Sequence, residues 1–329
     1  MRRVDLQRMI VEGTVNRALR DMEGDTHRTA RNLVDLGRSV AKGPFERQFL
    51  DACRRILDDD SSPCFEMLRR VLSCFDRQTL VTFGVNVGFE GCSRGAKRIR
   101  EAEAREGFNI PWAVRISMGD RGLSIGCVRR VVAEAVDLGI HMFILEDQGL
   151  VQRELQGLTE EFPTCAFGLL TEGAGSWETD GLTTCHNLLL CIDGCGEQAQ
   201  ILCRALEDAR IPYAVYLRCD DCLDDLDHRL EAAQELGSPL VVLLGDEAGT
   251  ETRQQLHRRV LDARSSYTYS FVPMDLPGDL LAIDRIISDD PCSLSLLPDG
   301  SVRTVAGICS VDVRSQSLRD ILRQVLPKR

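Results

Sequence analysis

Four cysteines lie where two consecutive predicted strands end, and their spacing is typical of a metal site. The sequence Cys191-Ile-Asp-Gly-Cys195 ends one predicted strand, and Cys219-Asp-Asp-Cys222 ends the next. Because consecutive strands of a β/α sheet are usually neighbours, we expect the four thiols to lie near one another. Together they have the ligand number of a tetrahedral zinc site or an iron–sulfur site. In a chain with 14 cysteines such pairs also arise by chance, and Cys191 is equally expected to point into the core.

Carboxylates follow most of the predicted strands. Converging acids repel one another unless something positive lies between them, so a ring of acids favours a metal ion or a cationic substrate. Asp residues after strands also cap the following helices, and we expect some of these acids to be caps. The residues are Asp120, Glu146, Asp147, Glu172, Asp193, Asp220, Asp221, Asp246, Glu247 and Asp275.

Nucleophilic catalysis has little support in the sequence. There is no G-x-S-x-G, P-loop or H-E-x-x-H motif. The chain has five histidines, and none of them is at the C-terminal end of a predicted strand. Any catalysis would therefore depend on carboxylates, Cys92 or Arg121. The alternative is that the protein has no catalytic activity.

The elements that position these groups alternate between strand and helix from Leu80 onward. Apolar, β-branched runs separated by helical patterns are typical of a parallel sheet covered by helices. Eight βα steps favour an α/β fold with a (β/α)8-type barrel, and a partial (β/α)6 barrel is the alternative. An open doubly wound sheet is the third choice, since no G-x-G-x-x-G follows a strand. The strands are predicted near residues 80–87, 112–118, 140–146, 165–170, 187–192, 212–218, 239–244 and 269–275.

The first 78 residues predict an all-helical segment. Apolar residues recur at helical spacing over 4–22, 25–42, 45–58 and 63–75, and Gly, Pro and Ser residues separate these runs. We therefore divide the chain into a helical segment (1–78), a β/α barrel (79–288) and a C-terminal hairpin and helix extension (289–329).

Composition narrows the classes of partner. The chain has 329 residues, is 43% hydrophobic and carries a net charge of -11, which argues against binding a nucleic-acid backbone. No run is long enough to span a membrane, and the N-terminus lacks the apolar core of a signal peptide. We expect a cytoplasmic protein with reduced thiols, whose partner is a small molecule or another protein and is neither a membrane nor a nucleic acid.

One turn resembles a known cofactor loop. The sequence Gly88-Phe-Glu-Gly-Cys92-Ser-Arg-Gly95 is similar to the cluster loop of the radical S-adenosylmethionine superfamily. In that family three cysteines spaced C-x3-C-x2-C follow the first barrel strand and bind a 4Fe-4S cluster. Here the three positions are Gly88, Cys92 and Gly95, so two of the three ligands are absent. The resemblance is therefore to a degenerate member, poor in cluster ligands.

Two further stretches carry the resemblance. Met118-Gly119-Asp120-Arg121 stands where the family has a Gly-Gly-Glu-Pro turn that holds the amino group of S-adenosylmethionine. The segments 294–302, with its Pro-Asp-Gly turn, and 313–322 resemble the tail of members with a SPASM or twitch extension, although Cys309 is displaced from the usual cysteine position. The resemblance implies a β/α barrel, S-adenosylmethionine as a possible ligand, and a set of cofactor-binding candidates: Gly88, Cys92, Gly95, Gly119 and Asp120.

Three functional hypotheses follow. The first is a radical-SAM-like barrel that has lost its cluster and binds a small molecule or a partner. The second is a metal- or iron–sulfur-dependent enzyme whose site is at the C-terminal mouth of the barrel. The third is an interaction protein that uses the N-terminal helices, with the barrel as its scaffold.

Overall fold

All but the first of the predicted strands form one curved sheet. The computed structural model describes residues 5–171, 178–220, 223–288 and 290–328. In these ranges the sheet order is β10-β9-β8-β1-β2-β3-β4-β5-β6-β7. Neighbours from β8 to β7 are parallel, and β9 and β10 are antiparallel additions. The strands are β1 Ala113–Met118, β2 Met142–Asp147, β3 Ala166–Thr171, β4 Leu188–Asp193, β5 Tyr213–Arg218, β6 Leu240–Leu244, β7 Val272–Asp275, β8 Leu294–Leu296, β9 Val302–Thr304 and β10 Gly307–Cys309.

Helices precede the sheet, connect its strands and follow it. The helices before the sheet are α1 Leu6–Met22, α2 Thr26–Val40, α3 Pro44–Asp58, α4 Cys64–Cys74, α5 Arg77–Val85, a π-helix Asn86–Gly95 and α6 Ala96–Glu106. The later helices are α7 Ile125–Leu138, α8 Gln152–Glu161, α9 Thr179–Leu182, α10 Ala199–Asp208, α11 Leu226–Glu235, α12 Thr250–Ser266, α13 Leu276–Ile287 and α14 Leu318–Val325. The predicted α/β class is confirmed.

The two faces of the sheet differ in polarity. On one face Val114 and Ile116 of β1 are fully buried within the main hydrophobic core. On the other face the alternate residues Arg115 and Ser117 lie beside Ile144 and Glu146 of β2. This second face is the inner, concave face of the curved sheet. Near the carboxyl ends of the strands it carries polar side chains.

The prediction of a strand over 80–87 is wrong, because this stretch is helical. Asp76 caps α5, and its carboxylate accepts the Thr79 backbone N–H at 2.7 Å. Val81 and Val85, four residues apart on one helical face, are buried. The helix continues through the π-helix into α6, so residues 77–106 form one long helical run. The first strand of the sheet is therefore β1, and the apolar β-branched composition of 80–87 reflects burial in a helix.

The predicted N-terminal helices are confirmed as α1 to α4. Met22, Ala30, Leu57 and Phe65 form a small hydrophobic core of their own. The proposed boundary at 78/79 lies inside α5, and the division into domains stays a prediction.

The C-terminal segment completes one edge of the sheet. β8 pairs in parallel with β1, with Val114 opposite Leu294. After the β9–β10 hairpin and α14, the chain returns to the start of β1, where Asn109 N–H donates to Leu326 O at 2.7 Å. No helix in the described residues is long and apolar enough to cross a membrane.

Candidate functional site

The candidate cluster residues lie at the N-terminal ends of the strands. Gly88, Cys92 and Gly95 belong to the π-helix. Asn86, in the same helix, donates to Pro163 O at 3.0 Å and Cys165 O at 2.7 Å, directly before β3. This end is opposite the mouth, where active sites of parallel barrels are found.

Packing explains the residues of the π-helix. A Cβ at Gly95 would collide with the backbone carbonyls of Glu90 and Gly139, so glycine permits the helix to contact the turn before β2. Burial, with a smaller contribution from Glu46, raises the pKa of the Cys92 thiol to about 12. A thiol that remains protonated is a poor metal ligand, since metals bind the thiolate.

Buried polar groups fix α1 against this helix. Glu90 is 1% exposed and accepts from Arg8 of α1 at 2.9 Å. Arg8 also donates to Asn86 Oδ1 at 2.7 Å. An unpaired buried carboxylate would be strongly unfavourable, so the Arg8–Glu90 pair ties α1 to the base of the sheet.

The turn after β1 holds Gly119 and Asp120. Gly119 has a φ of 127°, and a Cβ there would lie 2.7 Å from the Gly149 carbonyl carbon. The Asp120 N–H donates to Gly149 O at 3.2 Å, which joins this turn to the one after β2. The segment Gly119–Ser124 contains no cysteine, so the loop that follows the first strand offers no thiolate to a cluster.

Arg115 is the central charged residue of the inner face. Its guanidinium bonds Glu146 of the adjacent strand, with Nη2 to Oε1 at 2.5 Å. It also bonds both carboxylate oxygens of Asp246, which follows β6, with Nη2 to Oδ2 at 2.8 Å. Burial acts to lower the pKa of Arg115, but Asp246 and Glu146 outweigh it and raise this pKa. Four strands separate β1 from β6, so this contact requires the sheet to curl.

The described chain is a curled α/β half-barrel. In the described residues β7 pairs with β6 and β8 pairs with β1 and β9, but β7 and β8 do not pair with each other. Arg303 of β9 adds a second ion pair across the opening, with Nη1 to Glu247 Oε1 at 2.6 Å. Side-chain ion pairs therefore join the two sides of the curl.

Several carboxylates at the strand ends stabilise turns. Asp147 Oδ1 accepts the N–H groups of Gly149 and Leu150 at 2.9 and 2.8 Å, and its Oδ2 accepts from Thr171 at 2.8 Å. Asp193 accepts the Cys195 N–H at 3.0 Å. Neither residue caps a helix, because the N-cap residues of α8 and α10 are Val151 and Gln198. The expectation that some of the acids are caps is confirmed at Asp275, which is the N-cap residue of α13.

Two other acids link neighbouring elements. Asp220 accepts the Glu247 N–H at 2.8 Å. Asp275 bonds His257 Nδ1 on α12 at 2.9 Å, and burial raises the pKa of this carboxyl. No sequence pattern indicates this His257–Asp275 pair, because the two residues come together only through packing of α12 on β7. The candidates Glu172 and Asp221 lie outside the described residues.

Carboxylates outnumber guanidinium groups among the described residues at the mouth. The acids include Asp120, Glu146, Asp147, Asp193, Asp220, Asp246 and Glu247, and the arginines include Arg115, Arg121, Arg218, Arg229 and Arg303. Side chains of the Arg115 cluster are partly accessible, at 14% for Arg115, 26% for Glu146 and 22% for Asp246. The mouth therefore has an excess of negative charge that solutes can reach.

The cysteines proposed as metal ligands lie in different environments. Cys191 is buried on the inner face, and burial raises the pKa of its thiol to about 12. Cys219 is also buried, donates to Leu217 O at 3.6 Å, and has a pKa raised by burial to about 11. Cys195 is exposed and its Sγ accepts from Arg229 at 3.8 Å.

These three thiols do not form a metal site by themselves. No group of three or more His, Cys, Asp or Glu residues that could hold a metal ion occurs among the described residues. Cys222 lies outside those residues, so the four-cysteine site stays a prediction. The cysteines in the described part of the chain are all free thiols.

Comparisons with known proteins give weak structural similarities. No protein-family model matches the sequence, and no curated protein matches it. Tryptophan synthase from Mycobacterium tuberculosis is similar at a TM-score of 0.34 and 12% identity, over 60% of this chain and 96% of that one. Human mitochondrial enolase superfamily member 1 is similar at 0.37 and 15% identity, over 87% and 74%. At these scores neither similarity bears on the ligand or the reaction.

Proposed function

We propose that this protein is a cluster-free α/β half-barrel that binds a small cationic molecule at the carboxyl ends of its strands. The observation that carries the proposal is the sharing of one guanidinium, that of Arg115, by the carboxylates of Glu146 and Asp246. This cluster retains one net negative charge in a half-buried setting, where charge interactions are stronger than in water. An amine or a guanidinium group of a ligand is the natural counterion.

The placement of the cysteines supports the loss of an iron–sulfur cluster. Cys92 lies at the base of the sheet, and the loop from Gly119 to Ser124 has no thiol. A cluster with three cysteine-ligated irons has no ligand set in these two places. S-adenosylmethionine enters only through the family resemblance, but its amino and sulfonium groups make it one of the cations to test.

Isothermal titration calorimetry at low ionic strength tests the proposal. We expect putrescine, agmatine or S-adenosylmethionine to bind with a Kd below about 1 mM, and malonate, an anion of similar size, not to bind. Asp193→Asn keeps an acceptor for the Cys195 N–H but removes a charge, so it should weaken cation binding, and Glu146→Gln should do the same. Asp262→Asn, on the outer helix α12, is the matched control.

Two results would contradict the proposal. One is the absence of binding by all three cations. The other is equal binding by the wild type and by the Asp193→Asn and Glu146→Gln variants, which would place the ligand away from the mouth.

A second candidate function is protein binding by α1. Leu6, Met9 and Ile10 share one face of this helix and are 66%, 54% and 61% exposed. Exposed apolar side chains grouped in this way are typical of interaction surfaces. Met9→Lys with Ile10→Glu should abolish partner binding or self-association without changing the melting temperature, and Leu261→Glu on α12 is the control. Unchanged association by light scattering and pull-down would argue against this function.

A further inference from the structure

Two cysteines of different exposure lie at the carboxyl ends of the neighbouring strands β4 and β5. Cys195 is exposed, whereas Cys219 is 1% exposed. The two strands pair in parallel, with Asp193 opposite Tyr216, and the Gly194 N–H extends the pairing by donating to Tyr216 O at 2.9 Å. Cys195 is two residues beyond this last pair and Cys219 is three residues beyond it. The two side chains therefore start from neighbouring points of the mouth.

The guanidinium of Arg229 on α11 contacts both segments. Its Nη2 donates at 2.6 Å to Arg218 O, the carbonyl of the peptide bond that joins Arg218 to Cys219. The same nitrogen donates to Cys195 Sγ at 3.8 Å. Because one atom contacts both groups, the Cys195 sulfur is held close to the backbone of Cys219. The Asp225 carboxylate lies 4.0 Å from Nη1, so Arg229 positions the Cys195 thiol without leaving an unmatched positive charge beside it.

The spacing of the two strand ends suits a disulfide. The Cα atoms of a disulfide are about 4.4–6.8 Å apart, and neighbouring strands of a sheet lie about 4.8 Å apart. In the reduced protein the Cys219 thiol donates to Leu217 O at 3.6 Å. A thiol is a weak donor, so rotation about the Cα–Cβ bond of Cys219 gives up little. Such a rotation is all that the buried thiol needs in order to turn toward Cys195.

We propose that Cys195 and Cys219 are a modification site, at which hydrogen peroxide produces a reversible disulfide. The Cys195 sulfur attacks one peroxide oxygen and the O–O bond breaks, so that Cys195 becomes a sulfenic acid and one water leaves. The Cys219 sulfur then attacks the Cys195 sulfur, the S–S bond forms, and the sulfenic oxygen leaves with the Cys219 proton as a second water. The two thiols lose two electrons and two protons, and the peroxide is reduced to two waters.

The difference in exposure sets the order of the two steps. Peroxide in solution reaches the exposed Cys195, whereas burial protects Cys219 from direct oxidation. The buried thiol needs to reach only the sulfenic acid beside it, and an accessible cysteine next to a resolving cysteine is the arrangement of reversible redox sensors. The disulfide joins the ends of β4 and β5 covalently. The site is independent of the proposed binding of a cation.

Peptide mapping by mass spectrometry tests the proposal on the full-length protein, which is reduced, treated with a chelator and then exposed to hydrogen peroxide. We expect a pair of peptides linked through Cys195 and Cys219, with the loss of two hydrogen atoms, and release of the pair by dithiothreitol. Cys195→Ser should abolish this link. Cys219→Ser should instead leave a sulfenic acid at Cys195, which dimedone traps. Cys203→Ser removes a buried thiol on α10 and is the matched control, so it should form the link as the wild type does.

Oxidation of urea-unfolded protein shows whether the fold selects this pair of cysteines. In the unfolded chain we expect a mixture of linked peptides, because the pairing of β4 with β5 no longer places the two thiols together. The melting temperature of each variant is measured in parallel to establish that it folds. The proposal is overturned if peroxide leaves Cys195 unreacted, if the folded protein links Cys195 to Cys222 or to a second chain, or if Cys195 is oxidised without forming a disulfide.

Discussion

Arg115 and Asp246 form a two-point ion pair across the inner face of the sheet, between strands that are five positions apart in the sheet order. No backbone hydrogen bond joins β7 to β8 among the described residues. Where backbone pairing is absent, this pair, Glu146 beside it, and the outer pair of Arg303 with Glu247 connect the two sides of the curved sheet through side chains.

The first prediction concerns the strength of this connection. Arg115→Met leaves Glu146 and Asp246 half-buried without a counterion, and removal of one partner of a buried pair costs about 3–5 kcal/mol. We expect the free energy of unfolding, measured by urea denaturation, to fall by that amount. Arg303→Met removes an exposed pair and should cost less than about 1 kcal/mol. Equal stability of the two variants would show that packing alone holds the curl.

The second prediction concerns pH. Burial, with a further contribution from Glu103, raises the pKa of Asp284 from 3.8 to about 7, although the Trp112 and Cys292 N–H groups act to lower it. The folded state therefore favours the protonated acid. This contribution to stability is complete below about pH 4 and is lost as pH rises through about 7, which amounts to up to about 4 kcal/mol.

Asp284→Asn tests this effect. In the wild type the Trp112 N–H donates to Asp284 Oδ1 at 2.7 Å, and asparagine offers an uncharged acceptor for the same N–H. We expect the stability of the variant, relative to wild type, to increase between pH 5 and pH 8 in urea denaturation. Burial also raises the pKa of the neighbouring Glu103, and Lys328 partly offsets this increase. The stability of both proteins therefore still varies with pH through Glu103. A constant difference between variant and wild type would contradict the assignment to Asp284.

The third prediction concerns the iron–sulfur cluster. Protein purified anaerobically and reconstituted with iron and sulfide should lack a cluster at Cys92, because a buried, protonated thiol and two glycines do not supply its ligands. It should also release no 5′-deoxyadenosine from S-adenosylmethionine in the presence of dithionite. A visible absorbance that bleaches on reduction and is lost in Cys92→Ala would make a radical enzyme the leading hypothesis.

The fourth prediction concerns zinc or iron at the mouth. Cys191 and Cys219 are buried, Cys195 is exposed, and no group of three metal-ligating side chains occurs among the described residues. We therefore expect the purified protein to contain far less than one equivalent of either metal by elemental analysis. Stoichiometric metal that disappears in a Cys219→Ser, Cys222→Ser variant, but not in Cys203→Ser on α10, would instead establish the thiolate site.

The sequence predicts the alternating part of the fold because β1 to β7 are apolar runs between helices with strong periodicity. It fails at 80–87, where Val and Thr residues that favour strands by composition lie in a helix. The signal that identifies this helix is Asp76 as N-cap with Val81 and Val85 four residues apart. The sequence predicts only a hairpin in the region of β8. This strand has three residues, too few to show a periodicity, so its parallel pairing with β1 cannot be predicted.

The candidate site was predicted only in part. The position of the acids at the strand ends follows from the pattern of strands. The pattern of strands does not predict that Arg115 is the central partner of these acids. Arg115 is nevertheless the single charged residue within the apolar β1 sequence Ala-Val-Arg-Ile-Ser-Met. A charge in such a strand needs a partner, but which acid it meets depends on the curl of the sheet, and this is a property of tertiary packing.

The pairing of β1 with β8 has a consequence for synthesis on the ribosome. β1 ends at Met118, but the strand that covers its second edge begins only at Leu294. The nascent chain therefore carries an unpaired, apolar strand edge during most of its elongation, and such edges pair readily with other chains. The sheet is completed on this side only when the last segment of the polypeptide pairs with β1. Chains that stop before Leu294 should therefore aggregate or require a chaperone.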